Sequence, residues 1–336
     1  MIKKLLRRNE TYLFFVVVAF CIVVTAVNPA FFTLQNLFDL LHSSSGSAIL
    51  AIGFLVVLLS GGIDVSFPAV AIMGQYIAVK TLIALHVSNL GLGLVISCGV
   101  GLAFGAVNAF FISFFNISTL IVTLGTSGLF YGAMLQLLGS TAVYASELPD
   151  CFKAFGRANL FQLNTVTGTP YGLSVFALVL VGLVLLTWFI LRRTLLGRII
   201  YAMGGNIEAV RRSGVNIRAV QFFIYCYMGF LAGIMGVMSG SLIQYSDPTY
   251  IVDTELLPVL AGVMLGGASI MGGSGTLTGT LLGMAMIALL EKNLILLGIP
   301  SYWDQFFVGI VLVIGVSVTH IQRRIRGRRQ LSLLRE

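Results

Sequence analysis

The sequence predicts an all-α, polytopic helical membrane protein, and three observations carry that reading. Hydrophobic residues make up 58% of the chain and charged residues only 10%, against about 25% charged in an ordinary soluble domain. Mean hydropathy is +1.00. Apolar runs of roughly 20 residues, the length that crosses a bilayer core as a helix, recur along the whole 336-residue chain. Length alone would suggest about two domains, but the unbroken succession of spans makes residues 1–336 a single transmembrane domain.

In chain order, spans are predicted near 11–27, 47–60, 66–86, 90–113, 117–138, 173–191, 221–242, 255–270, 276–298 and 301–320, about ten in all. The first follows MIKKLLRR in the manner of a secretory signal. Its apolar stretch, Thr11 to Val27, is 17 residues long, more than a usual signal core, and no small-x-small cleavage pattern follows, so it reads as a retained span. The second is the shortest and ends in SGGIDVSFP (Ser60 to Pro68), where glycines, an aspartate and a proline break the helix at membrane depth. Irregular backbone survives there only where protein or water surrounds it, so the break is expected to face the bundle interior. Gly229, Gly233, Gly236 and Gly240 share one face of the seventh span, and Gly275, Gly279 and Gly283 one face of the ninth. Small residues at that spacing let helices approach closely, within the chain in preference to a dimer face.

Charge sets the orientation. The net charge is +8, yet the 20 Lys and Arg residues form three clusters and no groove-reading surface, which argues against nucleic acid as a partner. Lys3, Lys4, Arg7 and Arg8 open the chain, six cations lie between Arg192 and Arg218, and six lie between Arg323 and Arg335. Cytoplasmic loops collect Lys and Arg. Ten spans therefore place both termini, the loop 192–220 and the basic tail 321–336 in the cytoplasm, with lipid around the spans. The loop 139–172, whose only cations are Lys153 and Arg157, falls on the periplasmic side, as does 244–255 with Asp247, Asp253 and Glu255.

Within the cytoplasmic loop, TLLGRIIYAMGGNIEAVRRSGVNIRAVQ (Thr194 to Gln221) is too patterned for a linker. Asn206 is a good N-cap, Glu208 suits the positive end of a helix, and Gly214 fits the position just past its C-terminus. A short helix from Ile207 to Ser213 follows, with Ile207 and Val210 on one side, a knob of the kind that docks in a partner's groove. A basic loop that merely obeys the orientation rule is the alternative. The glycine-rich run LGGASIMGGSG (Leu265 to Gly275) is not an ATP-cradling loop, because no Gly-Lys pair occurs anywhere in the chain. It reads as a tight turn near the cytoplasmic face.

The break and this turn supply the candidates for a translocation pathway: Ser60, Gly61, Gly62, Asp64, Ser66, Gly266, Gly267, Gly272 and Gly273. Asp64 either shapes the cytoplasmic end of the pathway or pins neighbouring amides, unless it is an exposed loop residue. Glu291 beside Lys292 reads as a span boundary, and Tyr302, Trp303, Phe306 and Phe307 as an interfacial belt. His42, His86 and His320 lie far apart and none pairs with a cysteine at ligand spacing, so no metal site is predicted. Cys21, Cys98 and Cys226 sit in apolar runs, which makes a disulfide framework improbable, and no nucleophile constellation is visible. No enzyme chemistry is read from these residues.

Five segments, in order, resemble the ribose- and xylose-type permeases of ATP-binding-cassette importers, which share a fold with branched-chain amino-acid permeases. They are PAFFTLQNLFDLL (Pro29 to Leu41), LSGGIDVS (Leu59 to Ser66), ISTLIVTLGTSGLFYG (Ile117 to Gly132), TLLGRIIYAMGGNIEAVRRSGVNI (Thr194 to Ile217) and LPVLAGVMLGGASIMGGSGTLTGTLLG (Leu257 to Gly283). The resemblance implies a type II importer-like permease in a bacterial inner membrane, passing a sugar or sugar-like solute. It implies a dimer of two copies or two related chains, two cytoplasmic ATPase subunits that hold ATP and Mg, and a periplasmic solute-binding protein. No cofactor is implied for this chain. Gly204, Gly205, Asn206, Glu208, Ala209, Ser213 and Gly214 match the coupling helix that seats in the ATPase. The sequence departs from the family pattern at Phe67 and Pro68, where valine and glycine commonly follow. A branched-chain amino acid or another small polar metabolite is the alternative cargo. A proton-coupled carrier would need titratable groups near the midplane, of which Asp64 is the only real candidate, and a passive channel would work without ATP.

Overall fold

A computed structural model describes residues 9–28, 31–164, 170–248, 250–296, 298, 300–313, 315 and 317. Outside the described residues lie the cluster Lys3 to Arg8, Pro29, His320 and the tail 321–336 with its arginines.

The helices are α1 (Asn9–Val27), α2 (Leu34–Leu59), α3 (Phe67–Ala84), α4 (Leu90–Phe115), α5 (Thr119–Leu138) and the short α6 (Asp150–Gly156). Strands β1 (Asn159–Asn164) and β2 (Pro170–Ser174) follow, then α7 (Val175–Arg193), α8 (Leu195–Gly205), α9 (Ile207–Arg212), α10 (Ile217–Ile243), α11 (Tyr250–Leu265) and α12 (Leu277–Leu296). A 3-10 turn, Ser301–Trp303, leads into α13 (Asp304–Val313). Eight of these, α1 to α5, α7, α10 and α12, are long and apolar enough to cross a membrane. The shorter apolar helices α11 and α13 occupy the remaining two predicted spans, so each of the ten falls on a helix.

Side chains at the helix starts explain several boundaries. Asn89, Asn206 and Asn216 accept the amides of Leu92, Ala209 and Ala219 at 3.1, 3.0 and 3.2 Å, satisfying donors that the first helical turn leaves free. Thr33 does the same for Asn36 at 3.2 Å, and this moves the start of α2 well ahead of the expected residue 47. Three of the four serines that make residues 43–47 look polar, Ser43, Ser44 and Ser45, bond back to their own helix. Ser44 Oγ donates to the Leu40 carbonyl at 2.7 Å and Ser45 Oγ to that of Leu41 at 2.5 Å.

A second departure lies in the loop 139–172, where the antiparallel hairpin β1/β2 pairs Leu163 with Tyr171 and Asn164 with Pro170. Among the described residues these are the two strands set among the helices. A third is α11, which starts at Tyr250 and stops at Leu265 because the chain turns at Gly266 and Gly267, the latter with φ +88°.

The core runs along α2 from Ile49 to Leu59, buried without interruption, and along α10. The α10 glycines are the reason its neighbours come so close. Gly229 faces Gly101 and Gly233 faces Ser97 on α4, while Gly236 faces Ala71 and Gly240 faces Gln75 on α3. Ser97 Oγ also donates to the Gly233 carbonyl at 2.7 Å. Gly279 and Gly283 of α12 meet Gly266 and Gly262, so both stripes serve packing within the chain. The outward faces carry Phe14, Val95, Ile121, Leu129 and Leu185, all exposed, as helices bathed in lipid require.

Candidate functional site

The segment 192–220 begins with a helix that sequence reasoning missed. Thr194 caps α8 through its Oγ1, which accepts the Gly197 amide at 3.2 Å, and Ile200 and Met203 bury its inner face. Asn206 then ends α8 and caps α9. Glu208 pairs with Arg211 at 2.8 Å on the open face of α9, where solvent leaves such a pair little net energy. Gly214, at φ +82°, closes the helix in a conformation that side chains resist. The predicted helix therefore stands as read, but its apolar side points inward: Val210 is buried and Ile207 half-buried. The surface left open to a partner is polar, formed by Gly205, Asn206, Glu208, Ala209, Ser213 and Gly214 with Arg211 and Arg212.

Gly204 does not belong to that surface. It is the middle of a seam at which three distant segments meet with main chain alone. A Cβ on Gly204 would run into the Leu59 carbonyl and the Gly273 amide, and one on Gly272 into the backbone of Gly61 and Gly204. Gly273 donates its amide to the Leu59 carbonyl at 3.0 Å. Gly61 and Gly272, at φ +85° and +82°, turn the chain on either side of the contact. From α8, Tyr201 adds a hydrogen bond to the Gly275 carbonyl at 3.0 Å. Burial pushes its phenol pKa up, which keeps it a neutral donor. The seam joins α8, which leads into the exposed knob, to the helix break and to the glycine-rich turn.

The break itself is held by a buried polar network. Asp64, only 3% exposed, accepts the Ser66 amide at 2.8 Å and the Ser66 hydroxyl at 2.7 Å. Asn108 Nδ2 donates to Ser66 Oγ at 2.7 Å, and its Oδ1 accepts from Thr126 at 2.6 Å. Thr119 and Thr123 accept the amides of Ile63 and Val65 at 2.9 and 3.2 Å. Asp64 thus pins backbone and is not an exposed loop residue. Gly62 lies against the Tyr225 hydroxyl, and Ser60 Oγ donates to the Val57 carbonyl at 2.7 Å. Pro68 opens α3, where a missing amide costs nothing, and buried Phe67 packs its ring 5.8 Å from that of Phe54. The two departures from the family pattern fix the start of α3.

A cavity of about 730 Å³ lies between α2, α10, α11, α12 and α13. His42, Ser47, Met235, Glu255, Glu291 and Asp304 are among its lining residues, and none of the predicted pathway candidates is. His42 stands roughly 25 Å along α2 from Leu59, so the cavity occupies the end of the bundle opposite the seam. Glu255 Oε2, His42 Nε2 and Asp304 Oδ1 are buried there without a hydrogen-bond partner. His42 packs edge-on against Phe176 at 4.9 Å. One expectation is corrected by this cavity: Asp64 is not the only acid inside the bundle, because Glu255, Glu291 and Asp304 line it, with Tyr302 beside them. The available signal was the pair Glu255 and Glu291, each in an apolar run with Lys292 the one neighbouring cation. Among the described residues no three His, Cys, Asp or Glu side chains lie close enough to hold a metal ion.

Comparison with known proteins agrees with this architecture. Residues 36–316 match the family model described as branched-chain amino acid transport system / permease component. The chain is 32% identical over 296 residues to the ribose import permease protein RbsC of Escherichia coli (strain K12), covering 88% of this chain and 89% of that one. It is 32% identical over 317 residues to the autoinducer 2 import system permease protein LsrC of Klebsiella pneumoniae, covering 94% and 87%. No solved structure matches it. By this match the chain is a transport component and not an enzyme, and it belongs to the branched-chain amino acid transport system / permease component family.

Proposed function

We propose that this chain is the pathway-forming subunit of an ATP-driven importer for a sugar or sugar-like solute, seated in a bacterial inner membrane. Two permease chains, identical or related, form the pathway above two cytoplasmic ATPase subunits that bind ATP and Mg, and a periplasmic binding protein delivers the solute. The observation that carries the reading is the seam at Gly204, which ties the exposed knob rigidly to the break at Ser60–Ser66 and the turn at Gly266–Gly275. A nucleotide-driven shift at the ATPase moves the bundle only if the knob meets the ATPase differently in its two states. A continuous main-chain junction lets such a shift reach the bundle without loss in flexible side chains. The relatives named for ribose and autoinducer 2 support a small polyhydroxylated cargo.

The test is uptake by reconstituted transporter carrying Glu208→Trp or Gly214→Trp. Both variants should insert normally and lose uptake, together with the stimulation of ATP hydrolysis by loaded binding protein. Uptake retained at the normal rate with normal stimulation would overturn the reading. The carboxylates of the outer cavity favour one competitor, a proton-coupled carrier. With ATP clamped, collapse of the proton gradient by an ionophore should leave uptake unchanged, whereas a carrier would stop.

A further inference from the structure

We propose that the outer cavity is a charge-selecting solute subsite of this chain, one that admits a neutral polyhydroxylated molecule and turns away its phosphorylated or carboxylated derivatives. The proposal rests on the importer reading for the direction of flow, but its chemistry stands on the cavity alone. About 730 Å³ is within the range of small-molecule sites. Its lining mixes apolar side chains, Met235, Met238 and Leu257, with the acids Glu255, Glu291 and Asp304. A sugar has the same mixed character, with C–H faces and a rim of hydroxyls.

Buried polar atoms in a finished protein are almost always hydrogen-bonded, and here Glu255 Oε2, Asp304 Oδ1 and His42 Nε2 are not. Two of the three are carboxyl oxygens and the third an imidazole nitrogen, so the missing partner must bring hydrogen-bonding groups of its own. Solute hydroxyls supply them. A site that leaves polar groups unpaired when a hydroxyl is absent rejects the deoxy analogue strongly. Against three acidic side chains the lining offers one lysine, Lys292. A cleft lined mainly by one sign of charge concentrates the opposite sign and repels its own.

The test uses the whole transporter in sealed vesicles without nucleotide, in a background where Cys21, Cys98, Cys151 and Cys226 are replaced and uptake persists. Ser43→Cys reports on the cavity wall and Tyr144→Cys on the open periplasmic surface, where that residue is exposed. A trimethylammonium thiosulfonate and its sulfonate counterpart are compared at both positions. Relative to position 144, the cationic reagent should be favoured at position 43 by about tenfold or more. That preference should collapse towards one in Glu255→Gln/Glu291→Gln. Should the double variant fail to insert, Asp304→Asn alone should lower the preference. D-Ribose or D-xylose should slow labelling at position 43, and D-ribose 5-phosphate should not. A position 43 that neither reagent reaches, equal preference at the two positions, or labelling that no neutral sugar slows would each overturn the proposal. Labelling needs no ATP, so a failure of ATP dependence in the uptake assay removes the importer reading and leaves the subsite standing. Failure of these labelling arms with ATP-driven uptake intact does the reverse.

Discussion

The Leu59 carbonyl accepts the Gly273 amide at 3.0 Å, and Gly204 lies against both groups with no side chain between them. The last residue of α2, a turn more than 200 positions later and the end of α8 are thereby one mechanical unit.

Gly204→Val should disrupt that unit. Its first added carbon already meets backbone atoms that have no rotamer to yield, and overpacking of this kind costs about 1–3 kcal/mol. The melting temperature of the purified transporter should fall and coupled ATP hydrolysis should be lost. Gly182→Ala, where the space is open, should change neither.

Asn206→Ala removes the cap that ends α8 and starts α9. A cap of this type contributes about 0.5–2 kcal/mol, so the short α9 should fray while the spans stay intact. Hydrogen exchange should rise over residues 207–212, with ATPase stimulation reduced. Asn206→Asp, which keeps an accepting oxygen, should restore most of both.

Asp64→Leu leaves the buried Ser66 amide and hydroxyl without their acceptor, at a cost of about 1–3 kcal/mol per orphaned group. Asp64→Asn keeps an accepting oxygen and should be milder. The order wild type, Asn, Leu in thermal stability is the measurement. A leucine variant as stable as wild type would show that the network does not hold the break.

Gly101→Leu should prevent α4 from seating on α10, because the Gly229 carbonyl occupies the space. Little assembled protein should be recovered from the membrane. The facing exchange Gly229→Leu should behave alike, since each glycine makes room for the other's backbone.

How much of this was legible in the sequence depends on whether the signal is local. Caps, glycine stripes and the SGGIDVS break are local patterns, and each led to the element found. Asp64 was visible as an unusual acid, and its hydrogen bonds to Ser66 are also local. The cavity was not legible. Glu255, Glu291 and Asp304 come from three helices, each looks like a boundary residue in isolation, and only the packing of α11, α12 and α13 brings them to one space. The seam was half visible: all its glycines were singled out, but sequence distance assigned them to two different roles. The serines at 43–47 misled for a simple reason, since a polar side chain that bonds its own helix no longer counts as polar to its surroundings.

The inward turn of Val210 has a practical corollary. Because α9 turns Val210 into its own chain and shows Glu208, Arg211 and Arg212 outward, these outward residues could be exchanged for those of another permease without reopening the interior. Choice of motor and choice of cargo would then be separately transplantable, one at each end of the molecule.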